Sequence, residues 1–210
     1  MKVIAVLNQK GGAGKTTIAT HLARALQIVG YKVLLIDSDP QGSARDWAAV
    51  TPEAQPLAVV GIDRPTIERD LKSIAPHDFV IIDGAPQAAD LAISAIKAAH
   101  LVIIPVQPSP YDIWAASDLV DLVKQRIEVT DGVLRAAFVV SRHIAGTRLG
   151  GEITEALEGY GLPVLATKVG QRVAYPGSAA KGTTVLDVDP VSDAAIEIRA
   201  LAEEVLSLLN

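Results

Sequence analysis

Asn8-Gln9-Lys10-Gly11-Gly12-Ala13-Gly14-Lys15-Thr16-Thr17 is the stretch that decides the fold. An apolar run, Val3-Ile4-Ala5-Val6-Leu7, precedes it, and a helical pattern follows it. Strand, glycine loop and helix in that order make a phosphate-binding loop. The glycines let backbone N–H groups face phosphate oxygens, and the helix N-terminus adds partial positive charge. Gly11, Gly12, Ala13, Gly14 and Thr17 are therefore candidate phosphate contacts. Lys15 is expected to reach the β- and γ-phosphates, with the Thr16 hydroxyl on Mg²⁺. The ordinary pattern, G-x-x-x-x-G-K-[ST], asks for glycine at position 9, where this chain has Gln9 followed by Lys10. Two lysines flanking a glycine turn point to a polyphosphate. A solvated loop lysine at position 10 stays open as the alternative on spacing alone.

Outward from the loop, strand and helix patterns alternate to the end of the chain. Strands are expected at Val3–Leu7, Lys32–Asp37, Leu57–Ile62 (an edge), Asp78–Asp83, Leu101–Val106, Arg135–Ser141 and Pro163–Val169. Helices are expected from Thr16 to about Val29, with Ile18, Leu22 and Leu26 on one face and Gly30 as terminator. Further helices are expected at Thr66–Ala75, Ala88–Ala99, Asp112 to Glu128, Leu149–Tyr160 and Val191–Leu209. Repeated β-α units with short connections predict an α/β fold: one domain over residues 1–210, a doubly wound, mostly parallel sheet flanked by helices. Ligands of such sheets bind beyond the carboxyl ends of the strands.

Three carboxylates fall at those ends. Asp37 closes one strand, and Asp39 follows in Asp37-Ser38-Asp39-Pro40-Gln41. Asp83 closes Asp78-Phe79-Val80-Ile81-Ile82-Asp83, ahead of Gly84-Ala85-Pro86. An apolar strand ending in Asp downstream of a phosphate loop reads as a Mg²⁺-holding carboxylate. Turn capping is the alternative reading of the same residue.

Composition narrows the class. Half of the 210 residues are hydrophobic and only 4% are aromatic, so the core must be aliphatic, as in a parallel sheet buried on both faces. The chain has no cysteine, which excludes disulfides, thiolate metal sites and iron–sulfur clusters and fits the cytoplasm. No apolar stretch is long enough to span a bilayer, and the N-terminus lacks a signal-peptide layout. The net charge is −5, unevenly spread. Residues 124–181 carry 8 Lys/Arg against 5 Asp/Glu, a modestly basic segment in an acidic protein.

The form Lys10-Gly11-Gly12-Ala13-Gly14-Lys15-Thr16-Thr17 resembles the deviant Walker A motif of the ParA/MinD ATPases, a P-loop class. Asp37-Ser38-Asp39-Pro40-Gln41-Gly42-Ser43 resembles that family's first switch, and Asp83–Gln87 its second. The likeness extends through Leu101–Pro110, Thr167–Ala180 and Asp189–Ala195, and so covers essentially the whole chain. The resemblance implies ATP and Mg²⁺ as cofactors, with Lys10 reaching the partner's nucleotide across an ATP-dependent homodimer. It implies that Asp39 positions the attacking water, so that Lys10, Lys15 and Asp39 form the catalytic set. Thr16, Asp37 and Asp83 would make up the metal shell. Base recognition departs from the family pattern at Ser141-Arg142, which leaves Arg142 or Gln107 and Pro108 as candidate adenine contacts.

The short form is similar to small ParA-type partition ATPases such as ParF, with no room for an N-terminal operator-binding domain. The resemblance implies slow, partner-stimulated ATP hydrolysis, non-specific DNA binding on the nucleoid, and partition of plasmid or chromosomal DNA with a ParB-type partner. Arg172 matches a DNA-contacting position of the family, with Lys168, Arg148 and Lys181 in the same basic segment. Positioning of a protein cargo such as a carboxysome or chemoreceptor cluster is the alternative, and a metabolic ATP-dependent synthetase of the same fold a more distant one. Membrane binding is not expected, because the last helix sets one arginine against three glutamates.

Overall fold

The computed structural model describes residues 1–50, 57–86, 88–144 and 149–210, with residues 149–152 as backbone alone. Six strands are present among them: β1 (Lys2–Val6), β2 (Val33–Asp37), β3 (Ala58–Gly61), β4 (Phe79–Asp83), β5 (Leu101–Val106) and β6 (Arg135–Val140). They form one sheet in the order β3-β2-β4-β1-β5-β6, with every neighbouring pair parallel. The helices are α1 (Lys15–Ile28), α2 (Ser43–Ala49), α3 (Ile67–Leu71), α4 (Ala89–Ala98) and α5 (Pro110–Trp114). They continue with α6 (Ser117–Val129), α7 (Leu149–Glu158), α8 (Ala174–Ala179), α9 (Val185–Val188) and α10 (Asp193–Leu209).

Strand side chains alternate between two aliphatic layers, as the two-residue pleat requires. Ile4 and Val6 of β1 join Ile18, Leu22 and Leu26 of α1 and Ile198, Leu201 and Val205 of α10 on one face. Val3 and Ala5 join Ile96 of α4 and Leu119, Val120 and Val123 of α6 on the other. Both faces are covered, which is why the strands read as continuous apolar runs rather than alternating ones. Leu22 is fully buried at the centre of α1. Its truncation to Ala would cost about 2–5 kcal/mol.

The topology places the site. From β1 the chain crosses through α1 toward β2, whereas from β4 it crosses through α4 to β5 on the opposite side of β1. Connections that part in opposite directions open a crevice at the carboxyl edge between β1 and β4. The loops there approach closely: Gly84 N–H donates to the Val6 carbonyl at 3.0 Å. A Cβ on Gly84 would lie 2.8 Å from that oxygen and 2.4 Å from Leu7 Cδ2, so glycine is required after Asp83.

Two expected elements differ. Pro163–Val169 is not a strand but makes isolated bridges, Phe138 with Val164 and His143 with Gly170. The reason is Glu204 of α10, whose carboxylate accepts from Ala166 N–H at 2.8 Å and Thr167 N–H at 2.7 Å and so interrupts the pairing between Leu165 and Val169, whose N–H groups still reach β6 carbonyls. The helix expected from Asp112 to Glu128 is two helices, because the Ala115–Ala116 junction tightens, with Ala116 N–H on the Ile113 carbonyl. Short helices α2, α8 and α9 were not expected at all. Among the described residues no helix is long and apolar enough to cross a membrane.

Candidate functional site

The glycine loop joins β1 to α1 and is held open from several sides. Asn8 donates to the Pro105 carbonyl at 2.6 Å and accepts from Lys10 N–H at 2.8 Å. Ser141 Oγ donates to the Ala13 carbonyl at 2.8 Å, and Gln107 Nε2 to the Gly12 carbonyl at 3.0 Å. Gly14 caps α1 with φ of 92°, a left-handed conformation that glycine adopts without strain. A Cβ on Gly11 or Gly12 would meet nothing within 4 Å. The space above that backbone is therefore free for a ligand, and no side-chain cap occupies the N-terminus of α1.

Lys15 folds back over the loop, and its Nζ donates to the Lys10 carbonyl at 3.0 Å. Burial lowers its pKa, opposed by the nearby Asp83 and Asp39 charges. Phosphate oxygens would restore what burial removes, so the site fits a polyanion. His21 anchors the same helix from beneath: burial holds its pKa down to about 4, so it is neutral. Its Nε2 accepts from Val185 N–H at 3.2 Å, leaving Nδ1–H for the Thr17 carbonyl at 2.7 Å.

Asp83 ends β4 inside the crevice. Its backbone carbonyl accepts from Ser38 N–H and Ser38 Oγ, yet both carboxylate oxygens are buried without a hydrogen-bond partner. Burial pushes its pKa up to about 7, with Asp37 and Asp39 adding to the shift and Thr16 and Lys15 opposing it. An orphaned buried carboxylate beside a hydroxyl is a donor set that fits a hard divalent cation. Among the described residues no group of three or more His, Cys, Asp or Glu could hold a metal alone. An ion here needs phosphate and water for its remaining ligands, as Mg²⁺ usually does.

Asp37, also expected in that metal shell, is already engaged by its own fold. Its Oδ1 accepts from Asp39 N–H at 3.0 Å and its Oδ2 from Arg45 N–H at 2.9 Å. The carboxylate ties the turn after β2 to the start of α2. Asp39 is more exposed, and its Oδ1 accepts from Gln41 N–H at 2.9 Å.

Lys10 points away from its own loop. Its Nζ lies 2.6 Å from Asp112 Oδ2; the lysine side chain is 38% exposed and the aspartate 5%. Asp112 lies in α5, and its Oδ1 has no partner. Sequence reasoning missed it, since nothing in spacing joins residues 102 positions apart.

A cavity of about 560 Å³ lies on the other side of the loop, lined by Gly14, Thr17, Ser141, Arg142, Arg172 and Tyr175 among others. Arg142 stands at its rim with a left-handed φ of 51°. Gln107 belongs to the glycine loop instead, and neither it nor Pro108 lines this cavity. Of the two adenine candidates, the structure brings Arg142 to the cavity and not the Gln107–Pro108 loop.

Arg172 is not a free cation. Its Nη2 lies 2.6 Å from Glu197 Oε1 and its Nη1 3.2 Å from Asp193 Oδ2. The Glu197 bond holds the guanidinium pKa above its usual value. Lys168 is half-buried and Lys181 exposed. Arg148 and Gln87 lie outside the described residues.

Comparison with known proteins follows this geometry closely. Residues 4–185 match the model of the CobQ/CobB/MinD/ParA nucleotide binding domain. The chain is 33% identical to maintenance of carboxysome distribution protein A of Halothiobacillus neapolitanus, over 99% of this chain and 94% of that one. It is 28% identical to the chromosome-partitioning ATPase Soj of Thermus thermophilus, over 97% of this chain and 95% of that one. Among solved structures, the septum site-determining protein MinD of Pyrococcus horikoshii, complexed with Mg-ADP, superposes with a TM-score of 0.75. That match has 19% identity and covers 97% of this chain and 95% of that one, a likeness of fold.

Proposed function

The chain belongs to the CobQ/CobB/MinD/ParA nucleotide-binding family, and from that premise we propose that it is a Mg²⁺-dependent ATPase of the ParA type. It dimerises on ATP, binds DNA without regard to sequence, and partitions DNA with a ParB-type partner. The observation that carries the reading is the orphaned Asp83 carboxylate beside a glycine loop whose Lys10 is paired with Asp112 of α5 rather than with the loop itself.

Gly11 to Gly14 and Lys15 hold the phosphates, and the base enters the cavity between Arg142 and Tyr175. Thr16 and Asp83 hold Mg²⁺, which supplies charge neutralisation at the β- and γ-phosphates. Asp39 orients the attacking water, and Asp37 braces the turn that carries it. Lys10 leaves Asp112 and reaches the partner's nucleotide, so the active site is complete in the dimer. ATP drives that association to the extent that it binds the dimer better than the monomer.

The DNA-facing residues are Lys168, Lys181 and Arg172, a modest patch doubled by dimerisation. Arg172 contributes only by exchanging Glu197 and Asp193 for phosphate. A second reading, positioning of a protein cargo on the nucleoid, is supported by the 33% identity to a carboxysome distribution protein. The two readings share the switch and differ in the adaptor.

Fluorescence anisotropy of an arbitrary DNA duplex, with ATP, ADP or no nucleotide, tests the proposal. Binding should need ATP and fall steeply with salt. Absence of DNA binding in every nucleotide state would overturn the DNA-based reading.

A further inference from the structure

Arg45, in the first turn of α2, reaches back over the loop that carries Asp39. Its Nη2 donates to the Asp39 carbonyl at 2.9 Å, and the same oxygen accepts from Gly42 N–H at 2.9 Å. Its Nε is buried without a hydrogen-bond partner and lies 3.5 Å from Asp37 Oδ2, while its Nη1 lies 3.5 Å from Asp63 Oδ2. One guanidinium thus touches the carboxylate at the end of β2, the backbone of Asp39 and a carboxylate just beyond β3.

The slot it occupies is made of glycine. A Cβ on Gly42 would lie 3.3 Å from Arg45 Nε. On Gly61, at the end of β3, it would lie 2.9 Å from Nη1 and 3.0 Å from Cδ. Gly61 needs no left-handed backbone. A side chain there would displace the guanidinium. A planar fork serves three partners at once in a way an ammonium cannot.

We propose that Arg45 is a positioning residue for hydrolysis: it fixes the Asp39 turn against Asp37 and so aims the Asp39 carboxylate at the attacking water. This rests on the reading above that Asp39 orients that water. Arg45 is not among the residues that line the base cavity, and its partners are Asp37, Asp39 and Asp63 rather than the glycine loop, so its loss should leave nucleotide binding alone.

The test is single-turnover ATP hydrolysis by the full chain, with binding of a fluorescent ATP analogue measured alongside. The variants are Arg45→Ala, Arg45→Lys, Gly61→Ala, Asp39→Ala and the double variant Arg45→Ala/Asp39→Ala. Arg45→Ala and Gly61→Ala should each slow hydrolysis about tenfold, with analogue affinity within about twofold of wild type. Arg45→Lys should recover only part of the rate. The double variant should be no slower than Asp39→Ala, because Arg45 acts through Asp39.

Gly61→Ala displaces the flexible end of Arg45 and leaves all other residues intact, so it answers the question even if Arg45→Ala folds poorly. Unchanged hydrolysis in Gly61→Ala and Arg45→Ala, or a double variant that loses the two effects additively, would overturn the proposal. If Asp39→Ala hydrolyses ATP like wild type, the assignment of Asp39 fails instead, and the role of Arg45 with it.

Discussion

Asp37 and Asp83 end neighbouring strands and stand opposite one another in the sheet register, yet the chain treats them in opposite ways. Both are buried. The Asp37 carboxylate is given two backbone N–H groups and an arginine, whereas the Asp83 oxygens have no hydrogen-bond partner and only the nearby Thr16 hydroxyl and Lys15 charge to offset their burial. A buried carboxylate that is satisfied by its own fold holds structure together. One left unsatisfied weakens the fold until a ligand arrives, and its retention at a crevice beside a phosphate loop marks it as functional.

The comparison breaks most visibly on activity. Asp83→Asn should lower Mg²⁺-dependent ATP hydrolysis at least about 100-fold in a steady-state assay, as loss of an electrostatic contact to the metal requires. The same variant should be more stable than wild type by about 1–3 kcal/mol in urea denaturation at pH 8 in chelator, because a charged group without partners leaves the interior.

That gain should depend on pH with a definite sign. The folded Asp83 pKa is raised to about 7 from 3.8, so between those values the folded state holds a proton the unfolded state has lost. Its contribution to stability therefore falls as pH rises through that window. The stability difference between Asp83→Asn and wild type should grow from pH 4 to pH 7 and then level off, read by denaturation at each pH. His21 has the opposite sign: held down at about 4, it contributes stability at neutral pH that is lost as pH falls from 6.5 toward 4. Subtracting the two proteins removes this term.

Asp37→Asn sharpens the contrast from the other side. An amide cannot accept from Asp39 N–H and Arg45 N–H together without turning its own N–H₂ onto a donor. Stability should fall by about 2 kcal/mol in chelator, the reverse of Asp83→Asn. The smallest effect is expected at Asp112→Asn. Its partner Lys10 is partly exposed, so the pair contributes no more than about 1 kcal/mol to the monomer. Urea denaturation should barely move, which would separate a latch for Lys10 from a structural ion pair.

The contrast between Asp37 and Asp83 was not legible in the sequence. Both read as strand-end aspartates, and both were expected on the metal. What decides between them is Arg45, which lies just past the Asp37–Ser43 motif in a short helix that was not expected. The strands and the glycine loop were legible because a parallel sheet covered on both faces writes unbroken aliphatic runs, closed by Asp or glycine at the carboxyl edge. Pro163–Val169 carries the same aliphatic signature but pairs with β6 only at isolated points, because Glu204, far along the chain, takes the Ala166 and Thr167 N–H groups between them. Arg172 was legible as a cation in a basic segment, whereas Glu197 and Asp193, which neutralise it, lie in the acidic last helix. Charges counted along a chain do not reveal pairing across it.

On the proposed function, MgATP held at the Asp83 crevice converts a monomer into a dimer. Light scattering of Asp39→Ala, which should bind ATP and consume it only slowly over single turnovers, is the measurement to make, with MgATP, MgADP and no nucleotide. A dimer is expected with MgATP and a monomer otherwise, with the dimer lost when Asp83→Asn is added. A protein that stays monomeric in MgATP, or that dimerises equally in all three conditions, would contradict it.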